Sequence, residues 1–114
     1  MDTREVAEAF TALLREGKDA GEAFWHEDVS SLEPMGDMKA AHGREAVRAK
    51  GAWWVANHEV HGFEVEGPFV NDDQFALRMR IDVTVKATGA RMAMTEVGLY
   101  TVQDGKVVEE RFFY

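Results

Sequence analysis

The sequence predicts an α+β fold in which helices pack on one face of a curved antiparallel sheet. Three observations predict it. Apolar residues recur every three or four positions in the first third of the chain, they alternate with polar ones from Val60 onward, and Asn-Asp, Thr-Gly and Asp-Gly turn signals separate the alternating runs. Helices come first and strands follow, so the two layers must pack against each other and the curled sheet leaves a hollow.

The first helix is capped by Asp2 or Thr3, carries Val6, Ala9, Phe10, Leu13 and Leu14 on one face, and ends at Gly17. A second, short helix runs from Asp19 to Trp25 with Ala20, Ala23 and Phe24 inward. His26 to Asp28 then turns the chain into a short strand through Val29 and Leu32, which Glu33-Pro34 ends because proline has no amide proton for a ladder. Gly43 opens a third helix to Asn57 with Ala46, Val47, Lys50, Trp53 and Trp54 along its buried side. The strands follow: Val60 to Glu66, Gln74 to Lys86, Arg91 to Gln103 and Lys106 to Tyr114.

The 114 residues suit one domain, 1–114, and 46% of them are hydrophobic, enough for a core. Thirteen Lys and Arg against 21 Asp and Glu give a net charge of −8, which repels phosphate backbones and anionic headgroups and excludes nucleic-acid and membrane-surface roles. No apolar run reaches the roughly 20 residues needed to span a bilayer, and Met1 to Glu8 is acidic, so the chain reads as soluble and cytoplasmic. The absence of cysteine removes disulfides, thiolate nucleophiles and cysteine-ligated metals.

In the run from Gln74 to Lys86, the set Phe75, Leu77, Met79, Ile81, Val83 and Val85 must face the core. A hairpin centred on Thr88-Gly89 pairs Val85 with Met92, Val83 with Met94, Ile81 with Glu96 and Leu77 with Tyr100. Glu96 then lands on the apolar face, where a carboxylate either finds a donor or takes up a proton. The last hairpin admits two parities. A two-residue turn at Asp104-Gly105 turns Glu109, Arg111 and Phe113 inward, whereas a three-residue turn with a glycine bulge turns Val108, Glu110, Phe112 and Tyr114 inward. The second is preferred because it buries Phe112 and Tyr114 rather than Arg111.

Phe24-Trp25-His26-Glu27-Asp28-Val29 leading to Glu33-Pro34-Met35-Gly36, the opening Gly43-Arg44-Glu45-Ala46-Val47, and the closing Asp104-Gly105-Lys106-Val107-Val108 resemble the SnoaL-like, ketosteroid-isomerase-like branch of the nuclear transport factor 2 superfamily, over nearly the whole chain. The resemblance implies a cone-shaped α+β barrel with one deep apolar pocket for a small ligand. It also implies a homodimer packed through the outer sheet face, and no metal or organic cofactor. In ketosteroid isomerases, a worked case of pKa tuning, a carboxylate moves a proton between carbons while a tyrosine and a protonated aspartic acid hold the enolate oxygen. Carried over by position, the base falls on Glu33, the tyrosine on Phe10 and the aspartic acid on or beside Gly98. Both oxyanion donors are therefore missing, and the steroid isomerisation itself is not implied.

Glu96, on the Gly98 face, can replace the lost acid, with Tyr100 or Tyr114 as a phenol. Glu33 and Glu96 are thus the candidate catalytic pair of an isomerase, cyclase or dehydratase acting on a small apolar or carbonyl substrate. The alternative is a non-catalytic binding or dimerisation module. Candidate pocket residues are Phe10, Lys50, Trp54, His61, Met79, Met94, Tyr100, Glu110, Phe112 and Tyr114. Lys50 either enters the cavity to offset Glu33 or Glu96 or keeps its ammonium in water. Of the adjacent Trp53 and Trp54, one is core and the other lines the pocket mouth or an interface. Met35, Met38, Met79, Met92 and Met94 suit either adaptable ligand packing or ordinary core. His58 and His61, an odd spacing apart in an extended segment, face opposite ways and make no metal pair, while His61 is kept as a pocket base. Arg80-Ile81-Asp82 resembles the Arg and Asp of epoxide hydrolases in the same superfamily, but its face points to solvent or a dimer contact.

Overall fold

The computed structural model describes residues 1–37 and 39–114; Met38, one of the methionines named above, lies outside them. Helix α1 (Thr3–Arg15) opens with Asp2, whose side chain accepts from the Glu5 amide at 2.8 Å while Glu5 accepts from the Asp2 amide at 3.0 Å. This reciprocal capping satisfies two otherwise orphaned donors. The helix buries Val6, Ala7, Phe10 and Thr11. That face is rotated slightly from the expected one, so Leu13 and Leu14 are only partly buried. Helix α2 (Ala20–Phe24) is capped by Asp19. Strand β1 (Trp25–Leu32) follows at once, so His26 to Asp28 is strand and not a turn. Strand β2 (Ala40–His42), which no periodicity marks in so short a segment, precedes α3 (Arg44–Asn57).

Strands β3 (His58–Asn71), β4 (Gln74–Val85), β5 (Ala90–Gln103) and β6 (Lys106–Phe113) complete a six-stranded sheet in the order β2-β1-β6-β5-β4-β3. The α+β architecture is the predicted one. One ladder departs from the antiparallel expectation: β1 runs parallel to β6, pairing Ser31 with Glu110 across 79 residues of sequence. That junction joins the first strand to the last and positions the candidate site.

The core lies between α1 and the inner face of β4, where Phe75, Leu77, Met79, Ile81 and Val83 are buried as the alternation requires. The β4–β5 register differs by two residues from the expected one. Phe75 faces Tyr100, Met79 faces Glu96 and Ile81 faces Met94, because the loop is Lys86–Gly89 and so centred one residue earlier. Gly89 closes that loop at a φ of 74°, its amide on the Val85 carbonyl at 2.8 Å. A slip of two preserves side-chain parity, so Glu96 stays on the inner face.

At the last hairpin the turn is the two-residue Asp104-Gly105, both at positive φ (51° and 75°), and not the three-residue form. The irregularity falls later, opposite Thr101 and Val102, where the extra residue Val108 reverses the parity. Val107 is therefore the buried valine, while Glu110 still turns inward. Helix α3 also differs: only Val47 is buried, and Ala46 and Trp53 are exposed. The helix rests on β1, β2 and the start of β3 through the line Val47, Lys50 and Trp54. Among the described residues, no helix is long and apolar enough to cross a membrane.

Candidate functional site

The site is built where the end of β1, helix α3 and the inner faces of β5 and β6 meet. Val29, Ser31 and Glu33 share one parity along β1, so Ser31 is wholly buried and Glu33 follows it inward. Lys50 approaches from α3. Its ammonium lies 2.8 Å from Glu33 Oε1, donates to Ser31 Oγ at 2.7 Å and sits 5.3 Å from the centre of the Phe112 ring. Both partners of the ion pair are largely buried, their side chains 14% and 18% exposed. Lys50 thus takes the inward course of the two the sequence left open.

Glu110 is buried and both its oxygens have donors. Trp25 Nε1 donates to Oε1 and Ser31 Oγ to Oε2, each at 2.8 Å. Burial lifts its pKa above the ordinary value against these two hydrogen bonds and the Lys50 charge, with the Glu33 charge adding to the rise.

Glu96 is placed differently. It is half-buried beside Met79, and among the described residues no side-chain hydrogen bond or ion pair reaches it. Desolvation, then the Glu33 charge and, more weakly, that of Glu110, push its pKa to about 7 against the pull of Lys50. Three carboxylates share one ammonium in a poorly solvated space. Burial raises the pKa of both Glu96 and Glu110, and of the two only Glu110 meets hydrogen-bond donors among the described residues.

Tyr100 is buried, stacked on Phe75 at 4.8 Å and edge-on to Phe112 at 6.2 Å, and burial raises its pKa well above the usual phenol value. Its ring folds back over Gly98. A Cβ on that glycine would stand 2.7 Å from the hydroxyl and 2.9 Å from two ring carbons. The position that lacks an acidic side chain is thus filled by a phenol from two residues further on. Tyr114, half exposed, is pushed up to about 12, first by desolvation and then by the Glu33 charge and hydroxyl-to-carboxylate attraction. No hydrogen bond of good geometry joins the two, and Glu33 Oε2 is buried without a partner among the described residues.

Of the predicted residues, Glu33, Glu96, Lys50, Tyr100, Glu110, Phe112 and Tyr114 come together, with Met79 beneath. Phe10 belongs to the core and touches Tyr100 at 4.8 Å between ring centres. Met94 lies farther along the inner face opposite Ile81, and Trp54 stacks on His58 at 4.4 Å between ring centres. His61 does not serve the pocket. Counting from the inward His58, it falls on the outer face, and its Nε2 meets Thr84 Oγ1 at 2.7 Å. Asp82 also faces outward, gripped by Arg91 at 3.1 and 2.9 Å, which holds its carboxyl below the usual range. Among the described residues no group of three His, Asp or Glu side chains is disposed to hold a metal ion.

The cleft beside Glu33 is small, about 120 Å³, lined by Leu32, Glu33, Pro34, Arg111, Phe112 and Phe113. A larger hollow of about 790 Å³ lies mostly on the outer face around Arg80, Asp82 and Arg91. Of the expected pocket residues, Glu33 and Phe112 line this cleft, and Glu96, Glu110, Lys50 and Tyr100 do not. Sequence reasoning passed over Ser31 and Trp25. Strand parity from Val29 signals Ser31; the Trp25 contact has no local signal, since its partner lies 85 residues away.

A helix-lined curved sheet with a carboxylate cluster where β1, β5, β6 and α3 meet defines a member of the cone-shaped α+β class. The SnoaL-like domain model matches residues 1–114, so the chain belongs to that family, in the ketosteroid-isomerase-like branch of the nuclear transport factor 2 superfamily. A structure from Mesorhizobium loti, named a SnoaL-like polyketide cyclase and in the same name a carbohydrate phosphatase, is 56% identical over 100% of both chains with a TM-score of 0.97. A Catenulispora acidiphila protein with a ketosteroid isomerase-like fold is 16% identical, with a TM-score of 0.71 over 83% of this chain and 72% of its own. TerC, cocrystallised with polyporic acid, is 17% identical, with a TM-score of 0.74 over 98% of this chain and 90% of its own. These two share the fold. The curated proteins contain no match to the chain.

Proposed function

We propose that the protein moves a proton on a small apolar, carbonyl-bearing molecule, as an isomerase, cyclase or dehydratase that needs no cofactor. The observation that carries this reading is the unlike state of two neighbouring carboxyls. Among the described residues Glu33 is ion-paired through Oε1 with Oε2 unpartnered, whereas Glu96 meets no side-chain donor and its pKa is pushed to about 7. Environments that push two acids apart assign the base and the acid. Glu33 takes the proton from carbon next to the carbonyl, and Glu96 gives its own proton to the carbonyl oxygen. The neutral enol so formed returns its hydroxyl proton to Glu96 and takes a proton from Glu33 at the same or a conjugated carbon. Tyr100 and Tyr114 supply phenols near the oxygen. The family membership and the polyketide cyclase assignment of the Mesorhizobium loti relative support this class of chemistry.

Deuterium uptake next to the carbonyl of small cyclic ketones, followed by NMR in heavy water, tests it. Wild type accelerates uptake, and Glu33→Gln and Glu96→Gln each lose at least about 100-fold of the acceleration. Uptake at the buffer rate by wild type, or undiminished in both variants, overturns the reading. A second copy of the chain is proposed as the partner at the outer face. There Phe69 and Phe113 are 59% and 50% exposed among Arg78, Arg80, Glu64 and Glu66, a mixture that suits a self-complementary contact.

A further inference from the structure

The hydrogen bonds beneath the cluster run in one direction only. An ammonium has donors and no acceptor, so Ser31 Oγ must accept from Lys50, which leaves its single proton for Glu110 Oε2. The Trp25 indole nitrogen is also only a donor, and it faces the other oxygen. Both oxygens of Glu110 therefore meet donors, the arrangement of an ionised acceptor. Trp25 is held in that pose from two sides. Its ring lies where a Cβ on Gly21 would be, 2.3 Å away, and its carbonyl takes Arg44 Nη1 at 2.9 Å while Nη2 of the same guanidinium bonds Glu22 O at 2.6 Å.

We propose that Ser31 and Trp25 are positioning residues of the acid–base pair: they hold Glu110 as an ionised acceptor one hydroxyl away from the Lys50–Glu33 pair, and so leave the exchangeable proton of the cluster on Glu96. The inference rests on the reading of Glu96 as the proton donor. The charged and titratable groups around Glu96 are Glu33 beyond β1, Lys50 from α3, Glu110 from β6, Tyr114 just after that strand, and Tyr100 on its own strand. Its register partner on strand β4 is the uncharged Met79. With one ammonium among three carboxyls, the proton goes to whichever carboxylate is least well donated to. Removing a donor from Glu110 moves it there, and the uncharged Glu110 no longer repels a charge on Glu96.

Site-resolved ¹³C carboxyl titrations of the full chain test this with wild type, Ser31→Ala and Trp25→Phe, alongside ketone deuterium uptake. In each variant the Glu110 midpoint rises and the Glu96 midpoint falls by about one unit. At pH 7 that cuts the protonated fraction of Glu96, and the uptake with it, about fivefold, and lowering the pH by about one unit restores it. Gly21→Ala, which displaces the indole while leaving Trp25 in place, shifts the midpoints the same way and keeps the test open should Ser31→Ala not fold. Variants that lose stability while both midpoints stay put overturn the positioning role and leave the acid–base reading standing. A wild-type Glu96 with an ordinary midpoint overturns both.

Discussion

Replacing Glu96 by glutamine removes a titration and little else, since the side chain keeps its size and makes no side-chain hydrogen bond among the described residues. Its pKa is about 7 in the fold against an ordinary 4.5. A carboxyl raised in the folded state contributes stability that is fully present below the unfolded value and is lost as pH rises through the folded one. Between about pH 4 and pH 8.5, wild type therefore loses a contribution that Glu96→Gln, neutral throughout, does not. At 1.36 kcal/mol per unit, 2.5 units amount to about 3 kcal/mol, an upper value because Glu33 and Glu110 readjust. Urea unfolding of both proteins at the two pH values gives the double difference, in which pH-independent effects of the amide cancel. The variant gains about 2 to 3 kcal/mol over wild type at pH 8.5 relative to pH 4, or roughly 10 °C in Tm. A double difference under about 0.5 kcal/mol refutes the claim that Glu96 is a desolvated, unpaired acid.

Other expectations follow from the same contacts. Lys50→Met leaves the buried Glu33 carboxylate without its ion-pair partner and costs about 3 kcal/mol at pH 7, with a smaller loss at pH 4 where Glu110, raised by burial, takes up a proton; urea unfolding at both pH values reads the contrast. Gly98→Ala drives a Cβ to 2.7 Å from the Tyr100 hydroxyl, in a ring packed between Phe10, Phe75 and Phe112, and costs about 1 to 3 kcal/mol, measurable by thermal melting. His61→Ala, on the outer face, changes stability by no more than about 0.5 kcal/mol and leaves the Glu96 titration in place. Charge introduced as Phe113→Glu shifts a dimer toward monomer in analytical ultracentrifugation at micromolar concentration, while a mass unchanged by it argues against the outer face as the contact.

What the sequence made legible is mostly parity. Phe75 to Val83 read inward because alternation is local, and Glu96 kept its face through a two-residue slip because only an odd slip reverses it. The inward turn of Glu110 came out correctly although the turn length did not, since burial of Phe112 over Arg111 decides the parity wherever the extra residue falls. Other features depend on the assembled fold. The parallel β1–β6 junction brings Ser31 to Glu110, and no local pattern announces a partner 79 residues away. The course of Lys50 depends on what waits inside, two carboxyls and a hydroxyl, rather than on its helical position alone. His61 was misplaced for a simpler reason: its face follows from that of His58, which stacks on Trp54, a tertiary contact. The size of the cleft is set by packing and has no sequence signature.

The central claim is that one inward carboxyl stays protonated near neutrality beside an ion-paired one. The measurement closest to it is the ¹³C carboxyl titration of Glu96 in the wild-type chain, assigned from the resonance missing in Glu96→Gln. The account predicts a midpoint near 7. A midpoint between about 4 and 5, the range of an ordinary solvated glutamate, contradicts it.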